Sequence, residues 1–148
     1  MTATEINSFF QTYADAFSRS DVDGICALWD YPGFMSYQGS QAALDRDAFR
    51  RNTISLCAFY AARGLARAEK QVLEIDLMTE TTATVRTADT LLDAAGAVIT
   101  RWEHVYVLSA TPGGLRAVAA FPDNELKAWR DLGAPMGGDQ TRQSTQRR

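Results

Sequence analysis

The chain is short of the residues that carry most metal and redox chemistry, with one histidine and two cysteines among its 148 residues. One imidazole and two separated thiols cannot supply an ordinary structural zinc site, and neither Cys26 nor Cys57 belongs to a C-x-x-C pair. Both cysteines fall on apolar faces of predicted helices, as inert buried thiols do, and that usage suits a reducing cytoplasm. No stretch approaches the roughly 18 apolar residues of a membrane span, and the opening MTATEINSFF lacks the basic and then apolar pattern of an export signal. A net charge of −3 leaves no electrostatic footprint for nucleic acid. There is no phosphate-cradling loop and no G-x-S-x-G elbow. The expectation is a cytoplasmic protein with no metal, no cofactor, no nucleic acid and no membrane among its partners.

Apolar residues make up 46% of the chain and charged residues 22%, so one core fits its length. A domain of this size buries about 68–70% of its unfolded surface without disulfides. From Thr4 to about Phe17, Ile6, Phe9, Phe10, Tyr13, Ala14 and Phe17 recur at helical spacing. A short second helix is predicted from Asp21, a good N-cap, and stops before Pro32. GFMSYQG then reads as a short extended piece. A third helix is expected from about Asp45 to Arg63, its Phe49, Thr53, Leu56, Cys57 and Tyr60 turned inward and Gly64 supplying a left-handed stop.

Beyond Gly64 the period falls from 3.6 to 2, which marks strands with one buried face. Leu73, Ile75 and Leu77 belong to the first, then Val85, Thr87 and Asp89, then Trp102, His104, Tyr106 and Leu108, and lastly Leu115, Ala117, Ala119 and Phe121. A tight turn over Asp93 to Gly96 sets Leu92 opposite Ala97, and so predicts an outer ladder of Asp76, Arg86 and Glu103. Val105, Val107 and Val118 beside that ladder predict a homodimer through the convex sheet face. A short last helix opens at Asp123, placed as its cap, and residues 134–148 are expected to be a solvated, disordered tail outside the 1–133 domain.

Three helices and then an antiparallel meander make an α+β plan in which a curved, cone-shaped sheet wraps the helices. The order of elements and the segment YADAFSRSDVDGICALWDYPGFMSY resemble the nuclear transport factor 2-like superfamily, in its ketosteroid isomerase and polyketide cyclase-like branch, over about residues 4 to 132. In ketosteroid isomerases a first-helix tyrosine precedes the aspartate that opens the second helix by eight positions, as Tyr13 precedes Asp21 here. The resemblance also implies that His104 takes the strand position of that tyrosine's partner, so the two meet at the deep end of the cone. The family's proton-abstracting aspartate corresponds to Tyr37, a poor base, with Asp30 as the nearest carboxylate.

The candidate catalytic residues are therefore Tyr13 and His104, and the candidate ligand-lining residues are Trp29, Tyr37, Trp102 and Phe121. The predicted register sets Asp89 and Asp123 beside Thr100, about 13 Å along the strand from His104, which excludes a His–Asp dyad and leaves Asp89 solvated near the rim. The implied function is acid–base chemistry, as an isomerase, dehydratase or cyclase, on a small apolar ring or carbonyl compound. The alternative is a non-catalytic module that binds a small ligand or dimerises.

Overall fold

Helix α1, Ala3–Ser18, starts where Thr2 accepts from the Glu5 backbone N–H while the Glu5 carboxylate accepts from the Thr2 N–H, a reciprocal capping box. Its apolar stripe is fully turned inward, from Ile6 through Phe17. Helix α2, Val22–Ala27, is capped by Asp21, whose side chain accepts from the Gly24 N–H. Helix α3, Arg46–Ala61, is capped by Asp45 and is followed by a turn to Gly64, whose φ of 85° is the left-handed stop expected there. This computed structural model describes residues 1–37 and 40–133, and the side chains of Tyr37, Leu126 and Trp129 lie outside the described set, as does the tail predicted over 134–148.

Six strands form one sheet in the order β2-β1-β6-β5-β4-β3. They are β1 (Trp29–Tyr37), β2 (Ser40–Leu44), β3 (Arg67–Leu77), β4 (Thr82–Leu92), β5 (Val98–Thr111) and β6 (Gly114–Asp123). All neighbours are antiparallel except β1 and β6, which run parallel. The extended piece expected near GFMSYQG is thus a nine-residue strand that adds to the meander's edge. Against the concave face α1 packs along β3, and the core contains Phe10, Tyr60, Ile25, Val85 and Leu108. A short helix α4, Glu125–Asp131, folds back over β5, and the Arg63 side chain donates to the Leu132 carbonyl at 3.3 and 3.4 Å, pinning its far end to α3.

Register is where the structure departs from expectation. The β4–β5 loop is closed by the Asp93 N–H on the Ala97 carbonyl, so Leu92 faces Val98, and a bulge before Leu91–Thr100 adds a second residue. Two added residues preserve which side chains face inward, but every partner moves. Arg86 faces Val105 and Glu74, Asp76 faces Thr84, and Glu103 faces Ala88 and Asp123, so the predicted Asp76, Arg86, Glu103 ladder does not form. In β6 one bulge between Ala117 and Ala119 has the opposite effect and reverses the phase. Ala120 then points inward, while Phe121 lies on the outer face opposite Val105, 43% exposed, and is not a wall of the hollow.

Candidate active site

Between the helices and the concave sheet lies a hollow of about 60 Å³, lined by Tyr13, Trp29, Lys70, Asp89, Trp102 and His104 among others. The two-residue register shift brings Asp89 opposite Trp102, diagonal to His104. Its Oδ2 lies 2.7 Å from His104 Nδ1, both groups buried. The dyad excluded by the sequence register is therefore present, and Asp89 is 3% exposed rather than solvated. Asp123 is exposed on the outer face, 3.4 Å from Arg86 Nη1, and Asn124 rather than Asp123 stands immediately before α4. Asp30 is exposed as well and takes the Tyr31 N–H, so it is no substitute base inside the cone.

Asp89 is held on every side. Lys70 Nζ donates to its Oδ2 at 2.7 Å, and Thr87 Oγ1 donates to its Oδ1 at 2.8 Å. Burial alone would raise this carboxyl, but the Lys70 ammonium, helped by the hydrogen bond and charge of His104, outweighs burial and holds it well below the usual carboxylate range. An ionised carboxylate only accepts, so in the neutral ring the His104 proton sits on Nδ1 and Nε2 keeps its lone pair. The Trp102 indole N–H, 3.0 Å from the same Nδ1, competes for that nitrogen, and the charge-assisted contact wins.

Lys70 also donates to the Tyr106 hydroxyl at 2.8 Å. Burial, followed by the neighbouring Tyr13 and Asp89, pushes the Tyr106 phenol well above its ordinary value, so it stays a neutral hydrogen-bonding group. Tyr13 lies on the other side of Tyr106, ring centroids 5.9 Å apart, and accepts from the Trp29 indole N–H at 3.0 Å. His104 and Tyr106 centroids are 5.1 Å apart. Tyr13 and His104 both line the one hollow, with Tyr106 packed against both. Trp29 and Trp102 are buried in its wall, and Gly33 is required beside Trp29, since a Cβ there would meet the indole at 2.9 Å.

Glu125 approaches His104 from the other side. Its Oε2 is 3.7 Å from Nε2, too far for a hydrogen bond, and is buried with no hydrogen-bond partner. Burial raises its carboxyl, with His104 opposing and Asp89 adding to the rise. Among the described residues no group of three or more His, Cys, Asp or Glu side chains is arranged to hold a metal ion. Both cysteines are buried, and burial pushes the Cys57 thiol up, away from the reactive thiolate.

Lys70, Asp89 and Glu125 are the site members that sequence reasoning missed. Ala68, Lys70 and Val72 share the inner phase of β3, and Glu125, Ala128 and Leu132 share one helical face, so each charge carried a readable signal of burial.

Known proteins place this arrangement in a wider setting. No curated protein matches the chain. Among solved structures, an NTF2-like protein of unknown function from Shewanella oneidensis superposes with a TM-score of 0.65 at 11% identity, covering 82% of this chain and 98% of the other. A ketosteroid isomerase-like protein from Erwinia carotovora atroseptica gives 0.61 at 19% identity, over 80% and 92%. A putative scytalone dehydratase from Novosphingobium aromaticivorans gives 0.62 at 14%, over 80% of each chain. At these identities the likeness carries the fold and not the chemistry. Among the described residues no helix is long and apolar enough to cross a membrane. Residues 4–125 match the family described as NTF2-like protein (DUF6841), and the chain belongs to that family.

Proposed function

We propose that this chain is an acid–base catalyst of the isomerase, dehydratase or cyclase kind, acting on a small apolar ring or carbonyl compound. The observation that carries the reading is the 2.7 Å contact between buried Asp89 and His104 Nδ1, which leaves Nε2 as a base inside an apolar hollow. Asp89 orients the imidazole and stabilises the imidazolium formed when Nε2 takes a proton. Trp29 and Trp102 exclude water around the ligand. Tyr13 and Tyr106 anchor Lys70 and through it the carboxylate; Tyr37 and Phe121 have no part in this reading. A hollow of about 60 Å³ favours a compact ligand over an extended ring system.

The test is a panel of small cyclic ketones and hydroxy ketones, with steroid-like and polyketide-like rings, screened by thermal shift. Hits are then followed for deuterium uptake next to the carbonyl in D₂O. Asp89→Asn is expected to slow that uptake by roughly 10²–10⁴-fold. Binding without uptake favours the alternative, a ligand-binding module, for which the dense internal hydrogen bonding of Tyr13, Tyr106 and Lys70 already speaks. A panel with no ligand at all defeats both.

The outer face supports a homodimer as a second proposal. Phe34, 52% exposed, pairs with Ala119, which pairs with Val107, and Phe121 pairs with Val105, giving one apolar band bordered by Arg86 and Asp123. Sedimentation is expected to show a dimer at micromolar concentration that Phe34→Asp converts to a folded monomer. A wild type that sediments only as a monomer would remove this proposal.

A further inference from the structure

On its Nδ1 side His104 is saturated, whereas on its Nε2 side one acceptor nitrogen and one carboxyl oxygen lie 3.7 Å apart, beyond hydrogen-bond distance. Glu125 Oε2 is buried, unpartnered and part of the wall of the same hollow as His104. The backbone holds it there: Pro122 pairs with His104, Asn124 takes a left-handed turn with φ of 65°, and the Ala128 N–H returns to the Asn124 carbonyl at 3.0 Å. A sharp turn of this kind, uncommon for a residue with a side chain, reverses the chain so that the first residue of α4 reaches back over β5.

We infer that His104 Nε2 and Glu125 Oε2 form a two-point receptor for one ligand hydroxyl, an alcohol or enol oxygen that donates to the imidazole and accepts from the carboxylic acid. This rests on the dyad reading in one respect, that Asp89 keeps the ring proton on Nδ1. The groups facing Glu125 are His104 of β5, Asp89 of β4 and Lys70 of β3; burial, with the Asp89 charge, shifts the carboxyl toward the neutral acid against the opposing His104 and Lys70. A neutral acid donates one hydrogen bond, and a ring nitrogen without a proton accepts one. A group that does both at one atom, as a hydroxyl oxygen does, satisfies the pair. A carbonyl would accept from Glu125 but turn a lone pair toward Nε2, and an ammonium would satisfy Nε2 but oppose the acid proton. An oxygen about 2.75 Å from each atom fits the gap with an angle near 90°, within reach of a hydroxyl's donor and acceptor directions.

Because His104 is the chain's single histidine, its ring nitrogens give one unambiguous pair of NMR resonances. The probes are cyclopentanol, cyclopentanone and cyclopentane, each titrated to its solubility limit into the full chain. Cyclopentanol is expected to shift the Nε2 resonance and to bind about tenfold more tightly than the ketone. Glu125→Gln, which keeps a donor in the same place, should retain most of that preference. Glu125→Leu should abolish it while the ring proton stays on Nδ1. No Nε2 shift with the alcohol, or a preference that survives Glu125→Leu, overturns the receptor. Free-protein spectra that place the proton on Nε2 instead overturn the dyad reading itself, so the two failures are told apart before any probe is added.

Discussion

The two flanks of His104 are built on opposite principles. On the Nδ1 flank a buried carboxylate receives Lys70, Thr87 and the imidazole, all within 2.8 Å, whereas on the Nε2 flank a buried carboxyl has an oxygen that receives nothing. Both carboxyls are buried to a similar degree, at 3% and 5% exposure, so burial does not separate them and partners do. In the proposed function the contrast divides support from use: a fully partnered flank holds a ring in place, and an unpartnered one is left for a ligand to complete.

The sharpest way to break this contrast is to make the first flank resemble the second. Lys70→Met leaves Asp89 buried without its cation and is expected to destabilise the fold by about 3–5 kcal/mol, measured by urea denaturation. Adding Asp89→Leu to that variant should recover much of the loss. If Lys70→Met costs no more than a surface substitution, the carboxylate is not dependent on its partners. Thr87→Val, which keeps the shape but removes one donor to Asp89, is expected to cost about 1–3 kcal/mol. The smallest effect has the opposite sign: Glu125→Gln should stabilise the protein at neutral pH by roughly 1 kcal/mol or less, because folding no longer has to hold a proton on a buried carboxyl that is ionised in the unfolded chain.

The pH dependence separates the flanks in the same way. The Asp89 carboxyl is lowered by folding, so its contribution is present above the ordinary aspartate value of about 3.9 and is lost as pH falls below it. The Glu125 carboxyl is raised, so its contribution is present below the ordinary glutamate value of about 4.3 and is lost as pH rises through its folded value. Denaturation midpoints followed across pH should therefore fall on both limbs in the wild type. In Glu125→Gln the upper limb should flatten while the acid limb stays.

The elements themselves were legible from residue pattern. The Asp21 cap, the start of the third helix at about Asp45, the stop at Gly64 and the inward stripe of α1 all stand where spacing puts them, because each is decided within a few residues of chain. The site depended on something the pattern does not encode. Alternation in a strand tells which face a side chain takes, but two residues added at the β4–β5 turn and bulge leave alternation intact while moving every partner by two positions. That shift turns Asp89 from a rim residue into the partner of His104. In β6 one added residue reverses alternation itself, and Phe121 passes from wall to outer surface. Lys70, flanked by Glu69 and Gln71, looks like part of a solvated run until its inner phase is counted together with Ala68 and Val72.

The Trp102 indole N–H, 3.0 Å from His104 Nδ1, is a second partner within reach of that nitrogen. While the carboxylate owns that nitrogen, the hollow meets a lone pair at Nε2. Take the negative charge away, as Asp89→Asn does, and the indole N–H becomes the preferred donor to Nδ1, which sends the ring proton across to Nε2. The same imidazole then offers a ligand an N–H where it had offered an electron pair. A loss of activity in that variant would therefore record a hollow of inverted polarity, one that selects carbonyl oxygens over hydroxyls, as much as the absence of a base.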